Sequence, residues 1–338
     1  MNATSTVTDL VFGRWKSQIL YTGVALGVFD HVVTAEGRSA EQIACALKVD
    51  PGMLFRLLRA LASLGLLAEH DRRFAVSESG LLLQSATPGS LRDMVLLEEG
   101  PEHYSIWAHL ANLIRDGQQN AFVREFGQMA FEYAHSNSNY GATFRRAMSS
   151  FSSVQSKLAL EALRAFDFGR IRTACDVAGG QGHLMCSLLV EHERLEGIVF
   201  DLPEVIADKT ELWAAKMGLE ERCYYVAGDM FEDVPAADLY LLKMILHDWN
   251  DEECVRILSN IRRRVSSGGK LLVVEHIVPA DGEPHFSKLY DIHMMCWGSG
   301  KERTEEEYST LLSRAGWTLT EVLYPAGRAM GVIEGTAA

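Results

Sequence analysis

Residues 173–184 read TACDVAGGQGHL. A short run of small and β-branched residues closes on Asp176. Glycines follow at 179, 180 and 182, and an apolar stretch of helical spacing begins just beyond. Such a sequence joins a strand to a helix. The glycines permit a sharp turn and a close approach of backbone to a ligand, and the helix start adds free N–H groups with a partial positive charge. A dinucleotide fingerprint, GxGxxG, would need glycine at 185 after Gly180 and Gly182, but Met185 stands there. The turn therefore disfavours NAD.

Working outward, short strand-like runs alternate with amphipathic segments from about residue 171 onward. EGIVFDLPEV is a strand running into a loop, and IADKTELWAAKMG is a helix. CYYVAGDMF and ADLYLLKMI are strands, DEECVRILSNIRRRV a helix, and GGKLLVVEHIV a further strand. TEEEYSTLLSRAG is helical, and TLTEVLYPAGRAMGVIEGT closes as a hairpin. Alternation of this kind predicts a doubly wound α/β sheet with its ligands beyond the carboxyl ends of the strands. Those ends carry Asp201 in FDLP, Asp229 and Met230 in GDMF, and Lys243 followed by His247 in LLKMILHDWNDEE. A carboxylate at 201 can accept hydrogen bonds from both hydroxyls of a ribose. An acid beside a thioether at 229–230 suits an adenine, so the set fits a nucleoside without a pyrophosphate.

Before residue 171 the texture is helical. Ser39 and Gln42 form an S-x-x-Q capping box, and Asp50 caps a second helix with Pro51 at its first position. That helix places Leu54, Leu57, Leu58, Leu61 and Leu64 on one face and stops at Gly65; LLAEHDRRFAVSESG then reads as a two-stranded ribbon. Helix, turn, helix, ribbon is a winged-helix pattern. It serves either DNA reading or dimerisation. Residues 39–80 hold five basic and five acidic side chains, a poor surface for phosphates, so dimerisation is the expectation. Three segments are expected: 1–100, winged-helix-like; 101–170, a helical linker contributing to an acceptor pocket; and 171–338, catalytic.

The bulk numbers narrow the class. The 338 residues carry a net charge of −13, which argues against a nucleic-acid binder. Apolar content is 48% and charged content 23%, ordinary for a globular protein. Six scattered cysteines without a CxxC pair suit a reducing compartment, and eleven histidines show no HExxH or HxH pair, so no metal is expected. MNATSTVTDL lacks a basic n-region, and LYTGVALGVF is too short and interrupted to span a bilayer. A soluble cytoplasmic protein with no membrane partner is the expectation.

Taken together, DVAGGQG, FDLPEVI, GDMF, LLKMILHDWNDEE, LLVVEH and GKERT resemble the successive motifs of the S-adenosylmethionine-dependent O-methyltransferases of the caffeic acid, acetylserotonin and hydroxyneurosporene type. The resemblance covers most of the chain. It implies a class I methyltransferase Rossmann-like doubly wound sheet, preceded by a mainly helical winged-helix dimerisation domain, in a homodimer. It further implies that Asp176, Gly180 and Gly182 lie along the methionine portion of S-adenosylmethionine, Asp201 and Leu202 at the ribose, Asp229 and Met230 at the adenine, and Lys243 at the polar end. One departure stands out: the family pattern is DxGGGxG, and Ala178 occupies the first glycine position.

By the same resemblance, His247 is a general base delivered by a strand end, with Glu275 and Glu302 flanking it. Phenols have a pKa near 10, whereas an unperturbed imidazole near 6.5 is largely neutral at pH 7 and free to take the proton. Asp248 is expected to line the site, and Trp107, Tyr140, Met148, Phe151, His293, Met294 and Trp297 to line a pocket for a small aromatic hydroxylated or polyketide-like acceptor. Arg14 and Trp15 are candidates to reach a partner subunit's pocket. Two rival functions stay open: N- or C-methylation or hydroxylation on the same fold, and a ligand-responsive winged-helix regulator.

Overall fold

A computed structural model describes residues 2–32, 36–265 and 268–338. The chain divides into two compact units, residues 1–108 with 131–151 and residues 109–130 with 152–338.

In the first unit, local signals fix the elements. The Ser39 hydroxyl accepts from Gln42 N while the Gln42 side chain accepts from Ser39 N, which starts the helix Ala40–Leu47. Asp50 accepts from Met53 N at 2.7 Å and opens the helix Pro51–Ser63. Leu54, Leu58 and Leu61 form its buried face against Ile43, Phe29 and Phe74, and Gly65 follows the helix with φ of +76°. Three strands complete the wing: β1 (Arg38–Ser39), β2 (Leu67–His70) and β3 (Arg73–Val76), in the antiparallel order β1-β3-β2. Asp71 and Arg72 make the β2–β3 turn, both with positive φ.

The second unit is built on a seven-stranded sheet. Its members are β4 (Thr173–Val177), β5 (Glu196–Asp201), β6 (Cys223–Ala227), β7 (Leu239–Lys243), β8 (Lys270–Glu275), β11 (Trp317–Leu323) and β12 (Gly331–Ala337). Two further short strands, β9 (Ile277–Val278) and β10 (Arg303–Thr304), pair in parallel outside it. The sheet order is β11-β12-β8-β7-β4-β5-β6. Strands β4 to β8 are mutually parallel, while β12 runs antiparallel to both β8 and β11. The central strands are buried on both faces, as helix-covered parallel strands must be. One face packs Tyr240, Leu242, Ile257, Ile261, Tyr308 and Trp317, and the other Leu184, Leu188, Leu239, Leu241 and Leu272. The order reverses direction between β4 and β7, so the ligand crevice falls at their carboxyl ends.

Three expectations need correction. The segment 206–218 is helical only over Trp213–Met217. Upstream, Asp208 captures both the amide and the hydroxyl of Thr210, a local bond that competes with helix. GGKLLVVEHIV is two strands, β8 and β9, which join different sheets. The strand ADLYLLKMI stops at Lys243, so His247 does not end it. No helix among the described residues is long and apolar enough to cross a membrane.

Trp317 illustrates how the core is fixed. It is buried and donates Nε1–H to Leu258 O at 3.1 Å. Trp317→Ala should destabilise the fold by about 3–5 kcal/mol in urea unfolding.

Candidate active site

The glycine turn begins where β4 ends. The amides of Ala178 and Gly179 both donate to Phe200 O, at 2.8 and 3.4 Å, which ties the turn to β5. Ala178 has φ of +54°, in the left-handed region that disfavours a side chain. Gly182, at φ +88°, precedes the helix His183–Glu191, and a Cβ there would lie 2.6 Å from the Tyr225 hydroxyl. That hydroxyl donates to Gln181 O at 2.8 Å and so holds the turn from β6.

Asp201 closes the turn from the other side. One of its oxygens accepts from Gly180 N at 2.7 Å and the other from Leu202 N at 2.7 Å. Each carboxylate oxygen retains accepting capacity after one bond. Asp229 Oδ1 accepts from Phe231 N at 2.8 Å, and Asn260 donates to Met230 O at 2.8 Å, which fixes the β6 exit. Among the described residues, Asp176 Oδ1 and Oδ2, Gln181 Oε1 and His183 Nδ1 are buried without a hydrogen-bond partner. Native proteins leave few such atoms; these four meet at the glycine turn, while Glu275 Oε2 and Glu302 Oε2 form a second group beside His247. Burial raises the Asp176 carboxyl to about 7, with Lys243 opposing and Asp201 assisting the rise. Burial likewise raises Asp201 and lowers Lys243, and it brings His183 to about 4 with help from Lys243 and Lys157.

Four residues past β7, His247 sits in a single 3-10 turn, Leu246–Asp248. The turn is entered through Met244, whose φ is +54°. Glu275 Oε1, at the end of β8, accepts from the amides of Ile245 and Leu246 at 3.1 and 2.9 Å. His247 Nδ1 lies 2.8 Å from Glu302 Oε1, and its Nε2 lies 3.5 Å from Asp248 Oδ1. Nδ1–H donating to Glu302 leaves Nε2 as the acceptor nitrogen of the neutral ring. Glu302 is itself placed by its amide, which donates to Asp291 Oδ1 at 2.9 Å. One ligating atom from each of His247, Glu275 and Glu302 lies within 4.8 Å of the others.

The electrostatics differ from the expected ordinary imidazole. Burial opposes charge on His247, but Asp248, Glu275 and Glu302 together outweigh it and raise its pKa to about 10. Burial raises Asp248 to about 6 and pushes Glu275 up as well, with His247 pulling both the other way. The three carboxyls around the ring therefore favour its protonated form.

Of the acceptor-pocket candidates, His293, Met294 and Trp297 are buried on the helix Phe286–Trp297. Tyr290 on that helix was absent from the expected set. Its ring stacks on His293 at 5.5 Å and on His247 at 5.8 Å. The i, i+3, i+4 spacing of Tyr290, His293 and Met294 was the sequence signal for it. The other four candidates belong to the first unit. There Tyr140 is buried with its hydroxyl 3.0 Å from His103 Nε2, Phe151 is half-buried, and Trp107 and Met148 are exposed.

A parallel sheet with an antiparallel strand inserted beside its last parallel member, and a glycine turn at its switch point, define the class I methyltransferase fold. The O-methyltransferase domain family matches residues 107–318, and the O-methyltransferase dimerisation domain family matches residues 8–84. The chain is 33% identical over 332 residues to a phenazine O-methyltransferase of Lysobacter antibioticus, covering 98% of this chain and 95% of that one. It is 32% identical to acetylserotonin O-methyltransferase of Bos taurus, covering 93% and 92% of the two chains. Among solved structures, human N-acetylserotonin methyltransferase in complex with S-adenosylmethionine superposes with a TM-score of 0.88 at 29% identity, over 100% of this chain and 98% of that one. The chain belongs to the S-adenosylmethionine-dependent O-methyltransferases that carry an N-terminal dimerisation domain.

Ala178→Gly should relieve about 1–2 kcal/mol of left-handed strain, less about 0.5–1 kcal/mol of added chain entropy. A net gain in urea unfolding stability is the expected outcome. Gly182→Ala should weaken binding of S-adenosylhomocysteine in calorimetry, because the new methyl group meets the Tyr225 hydroxyl.

Proposed function

We propose that this enzyme methylates a phenolic hydroxyl of an aromatic acceptor, with His247 as the base. The observation that carries this reading is the 2.8 Å bond from His247 Nδ1 to buried Glu302, which orients the ring and leaves Nε2 to exchange a proton. Of the similar proteins, one is named 3-amino-4-hydroxybenzoate 4-O-methyltransferase, and one solved structure holds 1,4-dihydroxy-2-naphthoic acid with S-adenosylhomocysteine. Both point to flat aromatic acceptors. Tyr290, His293, Met294 and Trp297 are the flat or polarizable side chains the second unit offers one, and Asp248 is the polar neighbour.

The turn residues suit the cofactor. Neither oxygen of buried Asp176 has a hydrogen-bond partner among the described residues, so the ammonium of an amino acid would satisfy it. Gly180 has open space where a side chain would stand, Gly182 lets the turn pack closely against Tyr225, and Lys243 balances the Asp176 charge. Asp201 and Leu202 would hold the ribose, and Asp229 and Met230 the adenine. Bound there, S-adenosylmethionine supplies a methyl group activated by its positive sulfur. His247 manages the acceptor's proton. A ring with a pKa of about 10 matches a phenol near 10, so the proton can pass between them with little driving force lost. The productive complex holds one proton between ring and acceptor oxygen, so from the charged ring and a neutral phenol one proton must first leave to solvent.

His247→Ala should lower turnover by roughly 10² or more while leaving cofactor affinity near native. The assay is methyl transfer from labelled cofactor to a hydroxyphenazine, 3-amino-4-hydroxybenzoate and 1,4-dihydroxy-2-naphthoate, with product mass locating the methyl group. Full activity in the variant would remove His247 from the role.

The pH profile offers a second check. At neutral pH the free ring is charged, so kcat/KM should rise with pH and its acid limb should sit above that of an ordinary imidazole. Glu302 is one of the carboxylates raising the His247 pKa. Glu302→Gln removes that contribution, which lowers the ring pKa. Its acid limb should therefore move to lower pH, with a smaller plateau because the ring loses its orienting acceptor. A limb that stays put or moves up would contradict the assignment.

A further inference from the structure

The turn that carries His247 is held by a residue with no assigned role. Arg303, in GKERT, has a fully buried side chain. Its guanidinium carries five N–H donors in a fixed plane, and all five are used. Nε and Nη2 donate to Asp251 Oδ1 at 3.0 and 2.7 Å. Nη1 donates to Leu246 O at 2.8 Å and to Lys301 O at 3.3 Å, and Nη2 also donates to Trp249 O at 2.9 Å.

Two of these acceptors matter most. The carbonyls of Leu246 and Trp249 bracket His247 and Asp248, so one planar cation spans the turn from end to end. Asp251 anchors that cation at the start of the helix Asp251–Arg264. The segment approaches closely because Gly300 has no side chain; a Cβ there would sit 1.8 Å from His247 O. Glu302, the neighbour of Arg303 in sequence, bonds the His247 ring. Adjacent residues thus grip the same turn twice, one by its backbone and one by its imidazole.

We propose that Arg303 is a positioning residue for methyl transfer: by fixing the carbonyls on both sides of His247 it sets the ring in register with Glu302. The proposal rests on the reading of His247 as the base. Its scale follows from what misplacement costs. A shift of about 1 Å in a reacting group can lower a rate by roughly 10²-fold. Lysine cannot replace this arginine, since an ammonium presents three donors from one point and cannot span two carbonyls and a carboxylate.

The test compares the native enzyme with Arg303→Lys in the dimeric full chain. Three readouts are taken: the Nδ1 proton resonance of His247 in histidine-labelled protein, S-adenosylhomocysteine binding by calorimetry, and turnover of a hydroxyphenazine. The expected result is loss or broadening of the Nδ1 resonance and a fall in kcat of about 10- to 100-fold, with S-adenosylhomocysteine affinity within about twofold. A merely structural role would weaken cofactor binding and turnover together. If Arg303→Lys does not fold, Asp251→Asn keeps the shape and removes the guanidinium's anchor, and it should show the same pattern to a smaller degree. An unchanged Nδ1 resonance with native kcat in a folded variant overturns the proposal. Failure of the underlying reading looks different: His247→Ala would then keep native turnover, whatever Arg303→Lys does.

Discussion

The buried bond between His247 and Glu302 sets the terms for everything around it. An imidazole enclosed by Glu275, Glu302 and Asp248 is tolerable only while each charge is shared. Glu275 shares its charge with two backbone amides, and the carbonyls of the same turn are met by Arg303. Glu275, expected to flank the ring, accepts from the turn's backbone amides and also helps raise the ring's pKa. The cluster therefore holds a conformation as much as a proton. It also explains why the turn leaves the strand. A ring at the end of β7 would follow Lys243 directly, whereas the detour through Met244 at φ +54° brings His247 under the carboxylates of β8 and of residue 302.

Positive φ at a residue with a side chain occurs at two places next to this chemistry, Ala178 after β4 and Met244 after β7. These strands are neighbours at the sheet's reversal point. Conformations of this kind cost of order 1–3 kcal/mol and survive only when surrounding bonds over-determine them. At Ala178 the tie is the amide bond to Phe200 O; after Met244 it is the pair of amides on Glu275.

Much of this was legible in the sequence because the signals were local. The Ser39 box, the Asp50 cap, the glycine turn and the closing hairpin each depend on residues a few positions apart, and each formed as expected. Family motifs carried the fold and the cofactor. What failed was read from periodicity alone. The 206–218 helix lost its first half to an aspartate bond, and the LLKMILH run looked like one strand because burial continues past the strand's end. Arg303 was not legible as a site residue, because its role depends on a pairing across 57 positions of chain that no local pattern announces. Tyr290 carried only the helical spacing it shares with His293 and Met294, and its stacking on His247 spans 43 positions.

Strand β12 has a consequence for how the chain is made. It lies between β8 and β11, so β8 presents an open row of amides and carbonyls until residues 331–337 have left the ribosome. The first unit's cap-and-wing elements are finished long before that moment. Nascent molecules thus pass through an interval in which one half is folded and the other carries an adhesive border, the situation in which chaperones are most needed.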